Sequence, residues 1–218
     1  MSTLYVVSTP IGNLEDITLR AIRTLKECDF IAAEDTRHAR ILLQKYEIKT
    51  PVLSYHSYSG ESKIEKIIDI LKDGKSVALI SDAGTPGISD PAYSLVKRAI
   101  EEGVKISPIP GPSSLLAALV MSGRPMNQFL YLGFLPLKKG RQTLLKSLAT
   151  EKRTIVVFES PHRILKTLND LLEYLGDRDI AICREITKIY EEALRMKISD
   201  AIKHFVEHSP RGEFVLLF

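Results

Sequence analysis

Short apolar segments alternate with longer amphipathic segments along the first half of the chain. Apolar runs bounded by turn residues predict buried strands, whereas apolar residues at steps of three and four predict helices. The predicted strands are Leu4–Val7, Phe30–Ala33, Ser76–Ile80 and Val104–Ile109, and the predicted helices are Thr18–Lys26, Arg37–Tyr46, Ser62–Lys72 and Pro91–Glu102. This alternation predicts an α/β domain with a parallel sheet and helices on both of its faces.

A proline-rich segment, Pro108–Pro112, interrupts the alternation and predicts a hinge. Beyond it the pattern predicts a second α/β domain with a mixed sheet, so we expect domains at 1–111 and 112–218. The segment Tyr190–Ile198 is ambiguous, and we favour a strand there. The other predicted elements are strands Phe129–Leu135, Thr154–Phe158, Ile180–Cys183 and Phe214–Phe218, and helices Leu115–Met121, Arg141–Leu148, Ile164–Leu175 and Ser199–Val206.

Composition narrows the class of protein. The 218 residues carry 30 basic and 27 acidic side chains, a net charge of +3 that is too small for a protein that coats nucleic acid. No apolar run approaches the roughly 18 residues that span a bilayer, and no basic leader precedes an apolar stretch, so we expect a soluble cytoplasmic protein. Cys28 and Cys183 have no CxxC spacing and the histidines are scattered, so no metal site is expected.

The loops that follow the predicted strands are unusual. Residues Ser8–Asp16 lack the GxGxxG spacing of a nicotinamide site, and the chain lacks the GxxxxGKS/T motif of a nucleoside triphosphatase. The loop Ser81–Pro91 is much longer than an ordinary connection and is rich in Gly, Pro, Ser and Thr. Such a loop lets the backbone approach a ligand closely, which favours a binding role over a merely long connection.

Several polar segments have both a structural and a functional interpretation. Asp35 or Thr36 could cap the following helix, and the acids Glu34 and Asp35 could equally act in catalysis. His56 lies between tyrosines and could contact a nucleotide, although a hydrogen-bonded loop residue is the commoner case. Ser160 is expected to cap a helix that has Pro161 at its first position. The basic segment 138–141 is either solvated surface or a phosphate contact.

Eight segments of the chain match motifs of one known family: STPIGNLEDIT at 8–18, AAEDTR at 32–37, SYH at 54–56, LISDAGTPGISDP at 79–91, PGPSS at 110–114, FESPHR at 158–163, REITK at 184–188 and RGEFVLL at 211–217. Taken together, they resemble the small-subunit ribosomal RNA methyltransferase I family of the tetrapyrrole-methylase-like superfamily. The resemblance implies a two-domain class III methyltransferase fold that binds S-adenosylmethionine in the cleft between its halves. It also implies methylation of the 2′-hydroxyl of a cytidine near the decoding centre of 16S ribosomal RNA, and a homodimer. Family members often continue for several tens of residues beyond the position of Phe218.

Candidate site residues fall into three groups. Methyl transfer to a hydroxyl needs an in-line arrangement and a nearby proton acceptor, for which the candidates are Glu34, Asp35 and His56, joined by Glu159 if the second domain closes over the substrate. Basic side chains proposed to contact RNA phosphates are Arg37, Lys138, Lys139, Arg141, Arg163 and Arg184. The resemblance implies that the methyl donor contacts Ile11, Asp82, Gly84, Thr85, Ile88, Ser113, Ser114, Phe158, Glu159 and Glu213.

Two other functions remain open from the sequence. One is a methyltransferase of the same superfamily that acts on a tetrapyrrole-type small molecule or on a protein side chain. The other is a catalytically idle RNA-binding assembly factor. The basic loops favour RNA over a tetrapyrrole, and the intact loop at 81–91 favours an active enzyme over a binding protein.

Overall fold

A computed structural model of the chain describes residues 2–55 and 61–218. The chain divides into two compact units, Met1–Ser113 and Ser114–Phe218. His56, one of the candidate proton acceptors, lies outside the described residues. Each unit contains one sheet of five strands, in agreement with the predicted α/β class.

The first unit has a parallel sheet with the strand order β3-β2-β4-β1-β5. The four predicted strands are confirmed, with ends that shift by a single residue. The sequence pattern missed β3, because this edge strand is only three residues long and its residues are not fully buried. The strands are β1 (Thr3–Val7), β2 (Phe30–Ala33), β3 (Val52–Ser54), β4 (Val77–Ile80) and β5 (Lys105–Ile109), and the helices are α1 (Leu19–Glu27), α2 (Thr36–Lys45), α3 (Glu61–Lys72) and α4 (Ala92–Glu101).

Helices cover both faces of this sheet, as predicted. Successive residues of a strand point to opposite faces. Thus Ile31 and Ala33 pack in one core cluster with residues of α1 and α2, while Ala32 packs in another with residues of α3 and α4. Because both faces are buried, the strands are continuously apolar rather than alternating.

The strand order also locates the point at which the chain changes direction across the sheet. Strands β1 and β4 are neighbours, but β1 continues through α1 towards β2, and β4 continues through α4 towards β5. Since α1 and α4 lie on opposite faces, the loops after β1 and β4 diverge from a common edge. Ligands of open α/β sheets bind at such a switch point, outside the carboxyl ends of the strands.

The proline-rich segment begins within regular structure, because Pro108 lies inside β5. A proline cannot donate a hydrogen bond to a neighbouring strand. β5 tolerates it because, within the part of the chain that the structure describes, β5 is the edge strand of its sheet and pairs with β1 alone.

The second unit has a mixed sheet with the order β6-β7-β10-β8-β9, in which β6 and β7 pair in parallel and the other neighbours are antiparallel. The strand favoured for the ambiguous segment Tyr190–Ile198 is confirmed as β9. One apolar core joins the sheet to α6, α7 and α8. The strands are β6 (Phe129–Phe134), β7 (Thr154–Glu159), β8 (Asp179–Arg184), β9 (Glu192–Lys197) and β10 (Phe214–Leu217), and the helices are α5 (Ser114–Ser122), α6 (Arg141–Ser147), α7 (Ile164–Leu175) and α8 (Ile198–Glu207).

The predicted cap at Ser160 is wrong. Helix α7 begins at Ile164, and residues 161–163 form a turn. The Ser160 carbonyl accepts hydrogen bonds from the backbone N–H groups of Arg163 and Ile164, at 3.0 and 3.1 Å. The Ser160 N–H donates to the Glu159 carboxylate at 2.8 Å, so the segment closes as a turn before the helix starts.

Candidate active site

The loops after β1 and β4 are joined at the switch point of the first unit. Thr9 and Gly84 form an isolated antiparallel bridge, with N–H to carbonyl distances of 2.9 and 3.0 Å in the two directions. The hydroxyls of Ser8 and Thr85 lie 2.9 Å apart, and the Thr9 hydroxyl donates to the Ser81 carbonyl at 3.3 Å. These bonds hold a long loop in one conformation beside the sheet edge, as a binding loop requires.

The loop after β5 joins the same cluster. The Thr85 hydroxyl donates to the Pro112 carbonyl at 3.3 Å, and the Ser8 N–H donates to the Ile109 carbonyl at 3.1 Å. A Cβ at Gly111 would lie 3.1 Å from the Ser8 Cβ, which is tighter than ordinary contact. The absence of a side chain at this position therefore lets the strand ends of β1 and β5 approach closely.

The backbone conformation of Gly84 requires glycine, and Gly84 lies next to a predicted donor contact. Its φ of +76° lies in the left-handed region, which side-chain-bearing residues rarely adopt. A Cβ there would lie 3.4 Å from the Cγ2 of Ile11, one of the residues predicted to contact the methyl donor. The loop backbone thus lies directly against Ile11, which is itself buried.

Asp82 connects this cluster to the end of β2. Its carboxylate accepts a hydrogen bond from the Asp35 backbone N–H at 3.0 Å and lies 3.9 Å from the Nδ1 of His38. Asp82 therefore fixes the β2–α2 loop relative to the β4 loop. Because of this bridge, the candidate acids Glu34 and Asp35 lie at the same sheet edge as the glycine-rich loop.

The environment of Glu34 suits a proton acceptor. Partial burial, together with the negative charges of Asp82 and Asp90, raises the pKa of the Glu34 carboxyl. Glu34 shares the wall of a small cavity with Tyr55, whose hydroxyl donates to the Pro91 carbonyl at 2.9 Å. A carboxylate with a raised pKa binds a proton more readily than an ordinary glutamate, so Glu34 is the stronger of the two acidic candidates.

Asp35 has the opposite character. It is the N-cap of α2 and accepts from the Arg37 backbone N–H at 2.8 Å, which confirms the capping interpretation for Asp35 rather than Thr36. Its carboxylate also pairs with the Arg37 guanidinium at 2.7 Å, and these bonds to Arg37 hold the pKa of Asp35 far below its usual range. A carboxylate stabilised in this way is a weak base.

Three of the charged residues predicted for the second unit form an internal network. The Glu159 side chain is completely buried and accepts from the Thr167 hydroxyl at 2.6 Å. Arg163 lies 3.3 Å from the Glu159 carboxylate and also donates to the Leu135 carbonyl at 2.6 Å. Glu159 is thus already hydrogen-bonded and paired with a cation inside the second unit, and its role as a base stays a prediction.

Arg141 belongs to the same network and is only 5% exposed. Its guanidinium donates to Asp170 at 2.7 Å, and to the Pro136 carbonyl and the Thr167 hydroxyl at 3.0 Å each. The prediction that Arg141 contacts a phosphate is therefore corrected, because these internal partners occupy the side chain. Sequence alone could not separate it from the adjacent lysines, since burial depends on how α6 packs against α7.

The other predicted cations are accessible to different degrees. Lys138 and Lys139 are exposed, and the Arg37 side chain is 90% exposed beside its partner Asp35. Arg184 pairs with Glu192 at 3.2 Å, and its Nε is buried with no hydrogen-bond partner among the described residues.

The remaining predicted donor contacts lie in several places. Thr85 and Ile88 lie in the β4 loop, and Ile88 is 39% exposed. Phe158, at the end of β7, makes edge contacts with the rings of Tyr131 and Phe134 at centroid distances of 5.2 and 5.8 Å. The others are Ser113 and Ser114, which are half-buried at the start of α5, and Glu213, which pairs with Lys188 at 2.9 Å.

Sequence reasoning did not single out Ser8, Thr9, Gly111, Tyr55 or Asp90. The first three act through contacts with loops that are distant in the sequence, and no local pattern reveals those contacts. Tyr55 precedes His56 in the sequence. Its burial and its hydrogen bond to the Pro91 carbonyl distinguish it, and neither can be read from the sequence.

Two features are absent from residues 2–55 and 61–218, the residues that the structure describes. None of the helices in these ranges has the length and apolar character needed to cross a bilayer. The same residues contain no group of three or more His, Cys, Asp or Glu side chains arranged to hold a metal ion.

Comparison with known proteins decides the family. The family described as Tetrapyrrole (Corrin/Porphyrin) Methylases matches residues 3–202. The ribosomal RNA small subunit methyltransferase I of Thermotoga maritima is 51% identical over 100% of this chain and 98% of its own length. The chain belongs to the ribosomal RNA small subunit methyltransferase I family. A second family member, from Bacillus subtilis, is 49% identical over 100% of this chain and 75% of its own length.

Solved structures of more distant relatives share the fold of this family member. A cobalt precorrin-4 methyltransferase has a TM-score of 0.72 at 20% identity, covering 99% of this chain and 94% of that one. A uroporphyrin-III C-methyltransferase from Thermus thermophilus, complexed with S-adenosylhomocysteine, has a TM-score of 0.68 at 21% identity, covering 99% and 96%. The predicted two-domain tetrapyrrole methylase fold is therefore confirmed.

Proposed function

We propose that this protein transfers a methyl group from S-adenosylmethionine to the 2′-hydroxyl of a cytidine in small-subunit ribosomal RNA. The observation that carries the proposal is the 51% identity, over the full chain, to a protein named as a ribosomal RNA small subunit methyltransferase. The joined loops at the switch point of the first unit support it, because this is where open α/β sheets bind their ligands.

The residues of the first unit fit a nucleoside-type methyl donor. When bound, S-adenosylmethionine supplies an electrophilic methyl group on a sulfonium. Gly84 and Gly111 let two loops pack closely against Ile11 and Ser8, and the Ser8–Thr85 pair keeps those loops together. We propose Ile11, Thr85 and the neighbouring Asp82, Gly84 and Ile88 as the donor contacts of this unit. Ser113, Ser114, Phe158, Glu159 and Glu213 stay predicted contacts.

We propose Glu34 as the group that accepts the proton of the ribose hydroxyl. A hydroxyl attacks poorly while protonated, so a base within hydrogen-bond reach assists as the new bond forms. The raised pKa of Glu34 makes it a better acceptor than Asp35, whose pKa is lowered by Arg37. Alignment of the hydroxyl with the methyl carbon and sulfur supplies much of the remaining acceleration. His56 stays a predicted alternative.

For the RNA backbone, the proposed contacts are the exposed Lys138 and Lys139, together with Arg37, Arg163 and Arg184 at the positions described above. Cationic side chains displace counterions from phosphates and so contribute affinity without reading sequence.

A cytoplasmic location, a ribosomal substrate and a homodimer belong to the same proposal. The homodimer is supported by α5, which has no charged residue and leaves Leu116 and Val120 56% and 73% exposed.

The test is methyl transfer from labelled S-adenosylmethionine into purified small ribosomal subunits, naked ribosomal RNA and a tetrapyrrole precursor, assayed in parallel. Nuclease digestion then locates the label. Label in a ribose-methylated cytidine is the expected result. Label only in the tetrapyrrole would overturn the RNA substrate, and donor binding without any transfer would favour the idle assembly factor.

A further inference from the structure

The second unit contains a cavity of about 390 Å³ whose lining, apart from Lys138, has none of the roles proposed above. One wall is a stripe of α7 formed by Lys166, Asp170, Glu173 and Tyr174, residues whose spacing places them on the same side of a helix. The facing wall is formed by the loop 137–140 and the first turns of α6. The volume lies near the lower end of the range for small-molecule pockets and suits a ligand of about one nucleotide.

The walls of the cavity are fixed by the buried network around Arg141. Arg141 is bonded to Asp170 of α7, and also to the Pro136 carbonyl, just before the loop that forms the facing wall. One buried guanidinium thus ties both walls together. A pocket held in this way is formed before its ligand arrives, so binding does not require the walls to be ordered.

The chemistry of the lining is mixed in a way that restricts the ligand. Lys138 and Lys166 are exposed cations that suit a phosphate, but Asp170 and Glu173 line the same cavity. Asp170 is paired with the Arg141 guanidinium, which also lines the cavity, so Glu173 is the carboxylate that a hydrogen-bond donor of the ligand would meet. A ligand that matches both the lysines and this carboxylate must carry a negative charge together with hydrogen-bond donors.

A nucleotide with an exocyclic amino group meets these requirements. Its phosphate suits lysines, and its amino group donates to a carboxylate or amide oxygen, as in the recognition of cytosine N4 and adenine N6. Leu137 and Tyr174 supply apolar surface of the kind on which unstacked bases pack. Uridine has no exocyclic amine and fits less well.

We propose that this cavity binds a single unpaired nucleotide of the RNA substrate, with a preference for amino-bearing bases. The proposal rests on the RNA substrate proposed above and adds a second point of attachment outside the donor site. The cavity also adjoins the end of β7, because Thr167 bonds both to Arg141 and to Glu159.

The test uses the full chain and fluorescein-labelled oligo(rC), oligo(rA) and oligo(rU), with binding measured by fluorescence anisotropy. Oligo(rC) and oligo(rA) should bind about tenfold more tightly than oligo(rU), the scale of one base-edge contact. Thr143→Trp fills the cavity from an exposed position of α6 and should remove that difference. Ser147→Trp is the matched control, since Ser147 is exposed one turn further along α6 and does not line the cavity.

A charge variant provides independent evidence. Lys166→Glu should weaken binding of all three oligonucleotides and reduce the salt dependence by about one phosphate contact, whereas Lys146→Glu, outside the cavity, should not. Equal binding of the three oligonucleotides by the unmodified protein would overturn the proposal, as would equal binding by the two tryptophan variants. Methyl transfer by the unmodified protein is assayed separately, so failure of the RNA-methylation proposal is distinguishable from failure of the pocket.

Discussion

Replacing Arg141 with methionine should strongly destabilise the second unit. Methionine preserves much of the apolar stem but removes a guanidinium that is 5% exposed and bonded to Asp170, the Pro136 carbonyl and Thr167. Removing one member of a buried ion pair costs roughly 3–5 kcal/mol, because the other charge is left without its partner. The Asp170 side chain keeps 22% exposure, so water recovers part of this cost and we expect about 3 kcal/mol.

Urea unfolding followed by circular dichroism measures this effect. With a denaturant slope of about 2 kcal/mol/M, a loss of about 3 kcal/mol lowers the midpoint by about 1.5 M. Arg153→Met is the matched control, because Arg153 forms its ion pair with Glu151 on the surface and its side chain is 46% exposed. The control should shift the midpoint far less, since water solvates the groups that remain.

A second variant separates the charge effect from packing. Arg141→Met combined with Asp170→Leu removes both charges and should recover part of the lost stability. If Arg141→Met shifts the midpoint no more than Arg153→Met, the guanidinium does not hold the loop 137–140 and the reasoning from its burial is refuted.

Two further predictions concern the first unit. Glu34→Gln should lower the single-turnover rate of methyl transfer by about 10²- to 10⁴-fold. With Glu34 present, the rate should rise with pH through the raised pKa, because only the ionised carboxylate accepts a proton, and this step should be lost in the variant. Unchanged pH–rate profiles would exclude Glu34 as the base. Gly84→Ala should weaken donor binding measured by calorimetry, because the strain of a side chain at positive φ falls on the loop that carries the proposed donor contacts, whereas Gly74→Ala places a similar strain outside that loop. Equal donor affinities of the two variants would contradict a donor site at Gly84.

Local physics explains why the sequence predicted most of the secondary structure. Buried parallel strands need continuous apolar runs, and surface helices need an apolar stripe, so each type of element produces a pattern that can be recognised in the sequence. The sequence pattern missed β3 because the strand has only three residues, of which two are partly buried and one is exposed. The start of α7 was misplaced because the Glu159 side chain and the Ser160 carbonyl form a turn, which the Ser-Pro signal alone does not reveal.

The sequence by itself determined the α/β class of both units, the family, and the loops that bear candidate chemistry. Only the tertiary structure decided which of these loops meet. The insertion of β4 between β2 and β1 brings Thr9 against Ser81 across 72 positions, and no local pattern encodes that order. Tertiary packing also buried Arg141 and Glu159 while leaving Lys138 and Lys139 exposed, because burial depends on the neighbours that other elements supply.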